Sequence, residues 1–302
     1  MPATSFILQL LAASAALASA VEKRAPASID AAFKADGKTY WGSCGDSNTL
    51  NIQQNGDIVK ADFGQITPEN AMKGDATEPN RGQFSFSGGD AVVNFAQQNG
   101  KLVRGHTLCW HSQLPNWVSQ INDKSTMTSV LQNHISSLMG RWKGKIYAWV
   151  SIYRSLIDHS SLYGTLGSSP FYNVLGEDFV RIAFEAARKA DPAAKLYIND
   201  YNTVEYGVNY AKTQGMINKV KQWIAAGVPI DGIGAQAHLM AGQGSSVPAA
   251  LKALAAVVSE VAITELDIVN AGNQDYTTVT QACLDLANCV GITSWGVSDA
   301  NR

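Results

Sequence analysis

The chain has 302 residues, 46% of them hydrophobic and 16% charged, with a formal net charge of −2. That is material for one large globular domain or two small ones. A near-neutral balance without a basic stripe argues against a nucleic-acid-binding protein. From the N-terminus, Phe6 to Ala20 is an apolar stretch ending in Ala18-Ser19-Ala20, the small-x-small pattern of a signal-peptidase site. It is too short for a membrane anchor, so residues 1–20 are read as a signal peptide. Lys23-Arg24 reads as a dibasic cut, which makes 21–24 a propeptide and 25–302 a single domain of a secreted, extracellular protein. No later segment is apolar enough to span a bilayer, and the exported chain is expected to be a monomer without a cofactor.

Beyond Ala25 a simple rhythm recurs: a short apolar run, a polar or aromatic cluster, then a segment with helical apolar spacing. The first four runs are Tyr40-Trp41-Gly42, Gln65-Ile66-Thr67, Leu102 to His106 and Ile146 to Trp149. Four more follow at Lys195 to Ile198, Gly232 to Ala235, Val261 to Thr264 and Gly291 to Ser294. A typical intervening segment is Glu177 to Lys189, with Phe179, Ile182, Ala183 and Ala186 on one face. Strands alternating with helices imply a parallel sheet. Eight repeats without a second domain imply an α/β fold of the closed (β/α)8 TIM-barrel type, whose site is built at the C-terminal strand ends. An open doubly wound sheet is the alternative, but no Gly-x-Gly-x-x-Gly loop follows the first strand.

A barrel would bring the strand ends together. They carry Glu69, Asn70 and Lys73 after the second run, and His106, Trp110, His111 and Gln113 after the third. Asn199 and Asp200 follow the fifth, Gln236 and His238 the sixth, Glu265 and Asp267 the seventh, and Trp295 the eighth. Glu265 closes an apolar run, where an unpartnered carboxylate would cost several kcal/mol. Amides and imidazoles match sugar hydroxyls, and indole faces stack on pyranose C–H faces, so the set suits carbohydrate better than nucleotide. Taken one at a time, the tryptophans and histidines could be core residues and Lys73 a solvated charge. His106, His111 and His238 could instead ligate a metal, but no HExxH-like helix or acidic cluster accompanies them. Of the four cysteines, Cys283 and Cys289 are close enough for a local disulfide, while Cys44 and Cys109 could pair in space or stay buried thiols.

Several long motifs stand in one order: Thr67 to Lys73 (TPENAMK), Arg104 to Pro115 (RGHTLCWHSQLP), Tyr197 to Asn202 (YINDYN), Ile263 to Asp267 (ITELD) and Gly291 to Val297 (GITSWGV). Together they resemble the secreted fungal endo-β-1,4-xylanases of glycoside hydrolase family 10, over about Ser28 to Val297 apart from one block. The resemblance implies a retaining hydrolase of xylan and xylo-oligosaccharides with Glu265 at the nucleophile position. It also implies that Glu69, Asn70, Lys73, His106, Trp110, Gln113 and Trp295 bind xylose units upstream of the cleaved bond. Gln236 and His238 would support the nucleophile, Asn199 would join the substrate-binding set, and Cys283–Cys289 matches the family's local disulfide.

The excepted block follows the fourth strand. A retaining glycosidase needs a second carboxyl group about 5–5.5 Å from the first as general acid/base. The family carries it in Trp-Asp-Val-Val-Asn-Glu, whereas this chain reads Trp149-Val150-Ser151-Ile152-Tyr153-Arg154. Arginine keeps its proton at any working pH and cannot serve as acid and base in turn. The mismatch runs from Val150 to about Pro170, where Asp158 is the only acid, and the likeness resumes at Phe171. Val150-Ser151 can be encoded by GTGAGT, the start of many introns, so the block reads as a splicing or gene-model error. A transcript that encodes Arg154 within an intact block would sink that idea. Gly74 also stands where the family has Trp, which removes part of the upstream sugar contact. The family continues past Arg302 through another sugar-binding Trp and a closing helix, and on that count lower stability is expected.

Overall fold

The computed structural model describes residues 28–153 and 166–301. Residues 1–24, read above as signal peptide and propeptide, and Arg154 and Asp158 lie outside the described residues. The barrel strands are β1 Tyr40–Cys44, β2 Gln65–Thr67, β3 Leu102–Gly105, β4 Ala148–Tyr153, β5 Lys195–Asp200 and β6 Gly232–Ala235. A three-residue strand, β7 His238–Met240, comes next, followed by the barrel strands β8 Glu260–Val269 and β9 Cys289–Ser294. β1 pairs with both β2 and β9, and β6 with both β5 and β8, all in parallel. The ring of eight strands therefore closes without a free edge, which rules out the open doubly wound alternative.

β7 has no counterpart among the eight runs read from sequence. It forms because β8 outruns the barrel: beyond Thr264 the register breaks against β9, and β8 then pairs with β7 through His238↔Asp267, Leu239↔Ile268 and Met240↔Val269. A strand of three residues, only one of them buried, has too little alternation to be legible on its own.

The crossovers carry α2 Gln53–Asp62, α3 Ser87–Gln98, α4 Lys124–Arg141, α5 Asp178–Ala190, α6 Ala211–Ala225, α7 Val247–Ala255 and α8 Asn273–Leu284, and α1 Ile29–Ala35 precedes β1. Their ends follow side-chain chemistry. The Ser28 hydroxyl accepts the Ala31 N–H at the start of α1, and Asp123 accepts the Thr126 N–H at the start of α4. In α5 the residues Phe179, Val180, Ile182, Ala183, Phe184 and Ala187 are buried while Arg181 bridges Asp178 and Glu185 in solvent. That division is what a helix laid on a barrel wall requires.

Inside the barrel, Tyr40 and Tyr197 cross the lumen over Gly291 and Gly232, where any Cβ would come within 2.3 Å and 2.5 Å of the respective rings. Arg104 is buried between them, donating to the Tyr40 hydroxyl at 2.8 Å with its guanidinium 4.3 Å from the Tyr197 ring centre. These three side chains fill the lumen at this level. Because all barrel strands run parallel, their C-terminal ends share one end. The Cys283–Cys289 disulfide is present with a Cα–Cα distance of 5.3 Å. Cys44 and Cys109 are separate buried thiols, which decides the question left open above.

Candidate active site

Glu265 occupies the C-terminal part of β8 and is only 2% exposed. Both of its oxygens have partners. Asn199, near the end of β5, donates from Nδ2 to Oε1 at 3.0 Å, and His238 of β7 meets Oε2 through Nε2 at 3.2 Å. Thr264, the preceding residue, donates its hydroxyl to Asn199 Oδ1 at 2.9 Å. That contact sets the amide so that its donor end faces Glu265. The other ring nitrogen of His238 lies 3.0 Å from Asp267 Oδ2. Burial of the ring opposes its charge, but the hydrogen bonds to Asp267 and Glu265 outweigh burial and hold the imidazole pKa at about 9. At neutral pH an imidazolium thus sits between two carboxylates and donates to both.

The backbone around this trio is fixed independently. Glu265 N–H donates to the Gln236 carbonyl at 3.1 Å, and Ala237, between Gln236 and His238, adopts φ +62°. Its N–H donates at 3.1 Å to Glu205, a buried carboxylate from the segment after β5. Desolvation raises the Glu205 pKa, opposed by hydrogen bonds from backbone N–H groups and by the charge of His238. Gln236 itself is fully buried.

Across the mouth, the turn after β2 carries Glu69, Asn70 and Lys73. Lys73 Nζ donates to Asn70 Oδ1 at 2.9 Å and to Gln113 Oε1 at 2.6 Å, while Gln113 Nε2 reaches Asn70 Oδ1 at 3.1 Å. The same ammonium stands 4.9 Å from the Trp110 ring centre. Asp46, from the segment after β1, holds the turn: its carboxylate accepts the N–H groups of Glu69, Asn70 and Ala71 at 3.2, 2.8 and 3.3 Å. Glu69 also accepts from the Cys44 thiol at 3.6 Å. Burial raises the Glu69 pKa and the nearby Asp46 charge adds to it, against the Cys44 hydrogen bond and the Lys73 charge. Burial likewise drives the Cys44 thiol well up, followed by the charge of Glu69 and, more weakly, of Glu265. Cys44 is therefore a protonated donor in the wall of the site.

Trp295 joins the two sides. Its ring centre lies 5.8 Å from that of His106 and 6.4 Å from that of His238, edge-on to both, and its backbone N–H donates to the Leu266 carbonyl at 2.9 Å. Two clusters of the residues singled out from the strand ends thus stand at the mouth of the barrel, while Asp200 instead forms a fully buried ion pair with Lys212 at 2.9 Å. Among the described residues no group of three His, Cys, Asp or Glu side chains is placed to hold a metal ion. Asp46, Glu205 and Thr264 are the positioning residues that sequence reading passed over. Only Asp46 left a signal, the Asp-x-x-Thr pattern of a helix start, where its own N–H meets Thr49 Oγ1 at 3.2 Å.

Known proteins share this barrel. The glycosyl hydrolase family 10 model matches residues 28–302. The chain belongs to glycosyl hydrolase family 10. It is 50% identical over 301 residues to endo-1,4-β-xylanase 2 of Claviceps purpurea, covering 99% of this chain and 91% of that one. Identity to endo-1,4-β-xylanase 3 of Hypocrea jecorina (strain QM6a) is 52% over 279 residues, 92% of this chain and 79% of that one. Among solved structures, xylanase 10B of Thermotoga petrophila in complex with xylobiose superposes with a TM-score of 0.82 at 29% identity, covering 91% of this chain and 87% of that one.

Family 10 membership makes β4 the strand of greatest interest. Its backbone is continuous through Tyr153, and the Val150 carbonyl accepts both the Leu108 N–H at 3.0 Å and the Thr107 hydroxyl at 2.7 Å. Val150, standing where the family motif has Asp, is buried among barrel residues. Position 154 follows directly and lies outside the described residues.

Proposed function

We propose that this chain, secreted after removal of residues 1–20 and 21–24, binds internal stretches of β-1,4-xylan with its single domain, 25–302, and that Glu265 is its glycosidic nucleophile. One observation carries the reading. Glu265 is a nearly buried carboxylate with one oxygen held by Asn199 and the other by a cationic His238, at the end of the barrel where the C-terminal strand ends meet. Such a carboxylate is held in a fixed orientation, as attack on an anomeric carbon requires. Glu69, Asn70, Lys73, His106, Trp110, Gln113 and Trp295 supply hydrogen-bond donors and acceptors and flat faces for the upstream sugars, and Gln236 backs the nucleophile. No cofactor takes part in this reading.

Retention needs a proton donor for the leaving group, and Arg154 holds that position. An arginine can strengthen the ionisation of Glu265 but cannot protonate the departing oxygen. Turnover of the chain as written is therefore slow, and its retained capacity is binding. The test compares the chain with Arg154→Glu on xylan, with xylo-oligosaccharide binding measured alongside. Restored acid/base chemistry should raise reducing-sugar release about 10²–10⁴-fold while binding changes little. Equal and substantial hydrolysis by both forms would overturn the assignment of Arg154, and absence of binding would overturn the function. The second reading, a non-catalytic xylan-binding barrel, rests on Arg154 alone. It gains if binding persists and Arg154→Glu gives no turnover.

A further inference from the structure

The barrel lumen carries a buried charge that the site at the mouth does not use. Arg104 has no solvent exposure. Its Nη2 donates to the Tyr40 hydroxyl at 2.8 Å, and the guanidinium carbon lies 4.3 Å and 5.9 Å from the ring centres of Tyr197 and Tyr40. Among the described residues, Nε and Nη1 have no hydrogen-bond partner, and no carboxylate pairs with the group. A guanidinium has five N–H donors and keeps its proton in a protein, so the donors on Nε and Nη1 are left over together with a full positive charge. The ring faces offset part of the cost of burying that charge but supply no counter-charge.

The neighbouring groups do not neutralise it. Glu260, at the start of β8, accepts from the Tyr197 and Tyr147 hydroxyls at 2.7 and 2.9 Å and pairs with Lys195 at 3.0 Å. Burial opposes the Glu260 charge, but the hydrogen bonds from Tyr197, Lys195 and Tyr147 outweigh it and lower the pKa. Its negative charge is thus matched by Lys195. The phenols stay neutral, because burial raises the pKa of both Tyr147 and Tyr197. The β4 wall is apolar beside the cation. Arg104 is the register partner of Ala148, and Val150, two residues on and so on the same face, is the partner of Tyr197. Val150 is 1% exposed, yet it belongs to neither apolar cluster of the core.

We infer that the barrel lumen is an anion site, in which a small monovalent anion of the chloride class sits between Arg104 and the β4 wall at Val150 and accepts from Nε and Nη1. One uncompensated positive charge calls for one negative charge. Sulfate or phosphate would bring a second charge and leave it buried without a partner. The unfolded chain has no such site, so binding adds to the stability of the fold. The inference is independent of xylan binding.

The test follows thermal unfolding of the full chain in sodium chloride and in sodium gluconate at equal ionic strength, gluconate being too large to enter. Chloride should raise the midpoint in a saturable way, by about 2–5 °C at about 0.2 M. Val150→Asp places a carboxylate beside Arg104, so it should raise the midpoint in gluconate and abolish the chloride dependence. Bromide diffused into crystals of the unaltered chain should give an anomalous peak at Arg104 Nε or Nη1. Equal midpoints in the two salts overturn the site, as does a chloride effect that survives unchanged in Val150→Asp. A bromide peak only elsewhere makes the effect that of an adventitious ion and also overturns it. If Val150→Asp does not fold, the bromide position decides alone.

Discussion

Asp267→Asn tests the electrostatics around Glu265 most directly. The change is nearly isosteric and removes one of the two carboxylates that hold the His238 imidazolium. The step from 6.5 to about 9, at about 1.4 kcal/mol for each pH unit, bounds the net contribution of this titration to stability at about 3.5 kcal/mol. The His238 side chain is 30% exposed, so solvent screening brings the realised figure to about 1–2 kcal/mol. Because the folded-state pKa lies above that of a free imidazole, this stabilisation is complete below pH 6.5 and fades as pH rises through 9. Losing Asp267 should lower the His238 midpoint by about one pH unit or more. It should also destabilise the fold by about 1 kcal/mol at pH 6 and by almost nothing, through this route, at pH 10. The chain has five histidines, few enough to assign the imidazole proton resonances by single substitution. Titration by NMR gives the midpoint, and urea unfolding at the two pH values gives the stability difference. A midpoint that stays in place, or a cost equal at pH 6 and pH 10, would refute the ionic clamp.

Asp46→Ala should weaken xylo-oligosaccharide binding, because three N–H groups of the Glu69–Ala71 turn lose their acceptor, at a stability cost of about 1–3 kcal/mol. Removing the Asp46 charge also lowers the Glu69 pKa, so the acid limb of binding measured by calorimetry should move to lower pH. An acid limb that does not move would leave Asp46 a purely structural role. Cys283→Ser opens a loop with a sequence separation of six and should cost about 2 kcal/mol in urea unfolding, a difference that reductant abolishes.

Much of the architecture was legible along the chain. Eight apolar runs at strand length, separated by helical spacing, appear as the eight barrel strands, because a strand buried on both faces leaves a continuous apolar signal. The motif residues at the run ends were legible too, since a parallel barrel sends every C-terminal strand end to one mouth. β7 was not, being three residues long and existing only because β8 extends past the barrel to meet it. Nor could the state of Cys44 be read. Its thiol faces Glu69, a pairing that depends on how the segments after β1 and β2 meet.

The sequence by itself determined the fold class, the family, the order of the strand ends and the break at Arg154. Each of these is carried by residue identity and spacing along one dimension. The tertiary structure alone decided which lone pair faces which proton. Thr264 turns the Asn199 amide across 65 residues of chain, Asp46 holds a turn 23 to 25 residues away, and Glu205 pins Ala237 from 32 residues upstream. Hydrogen bonds of this kind are set by distances of about 3 Å and by direction. Both are fixed only when the barrel closes.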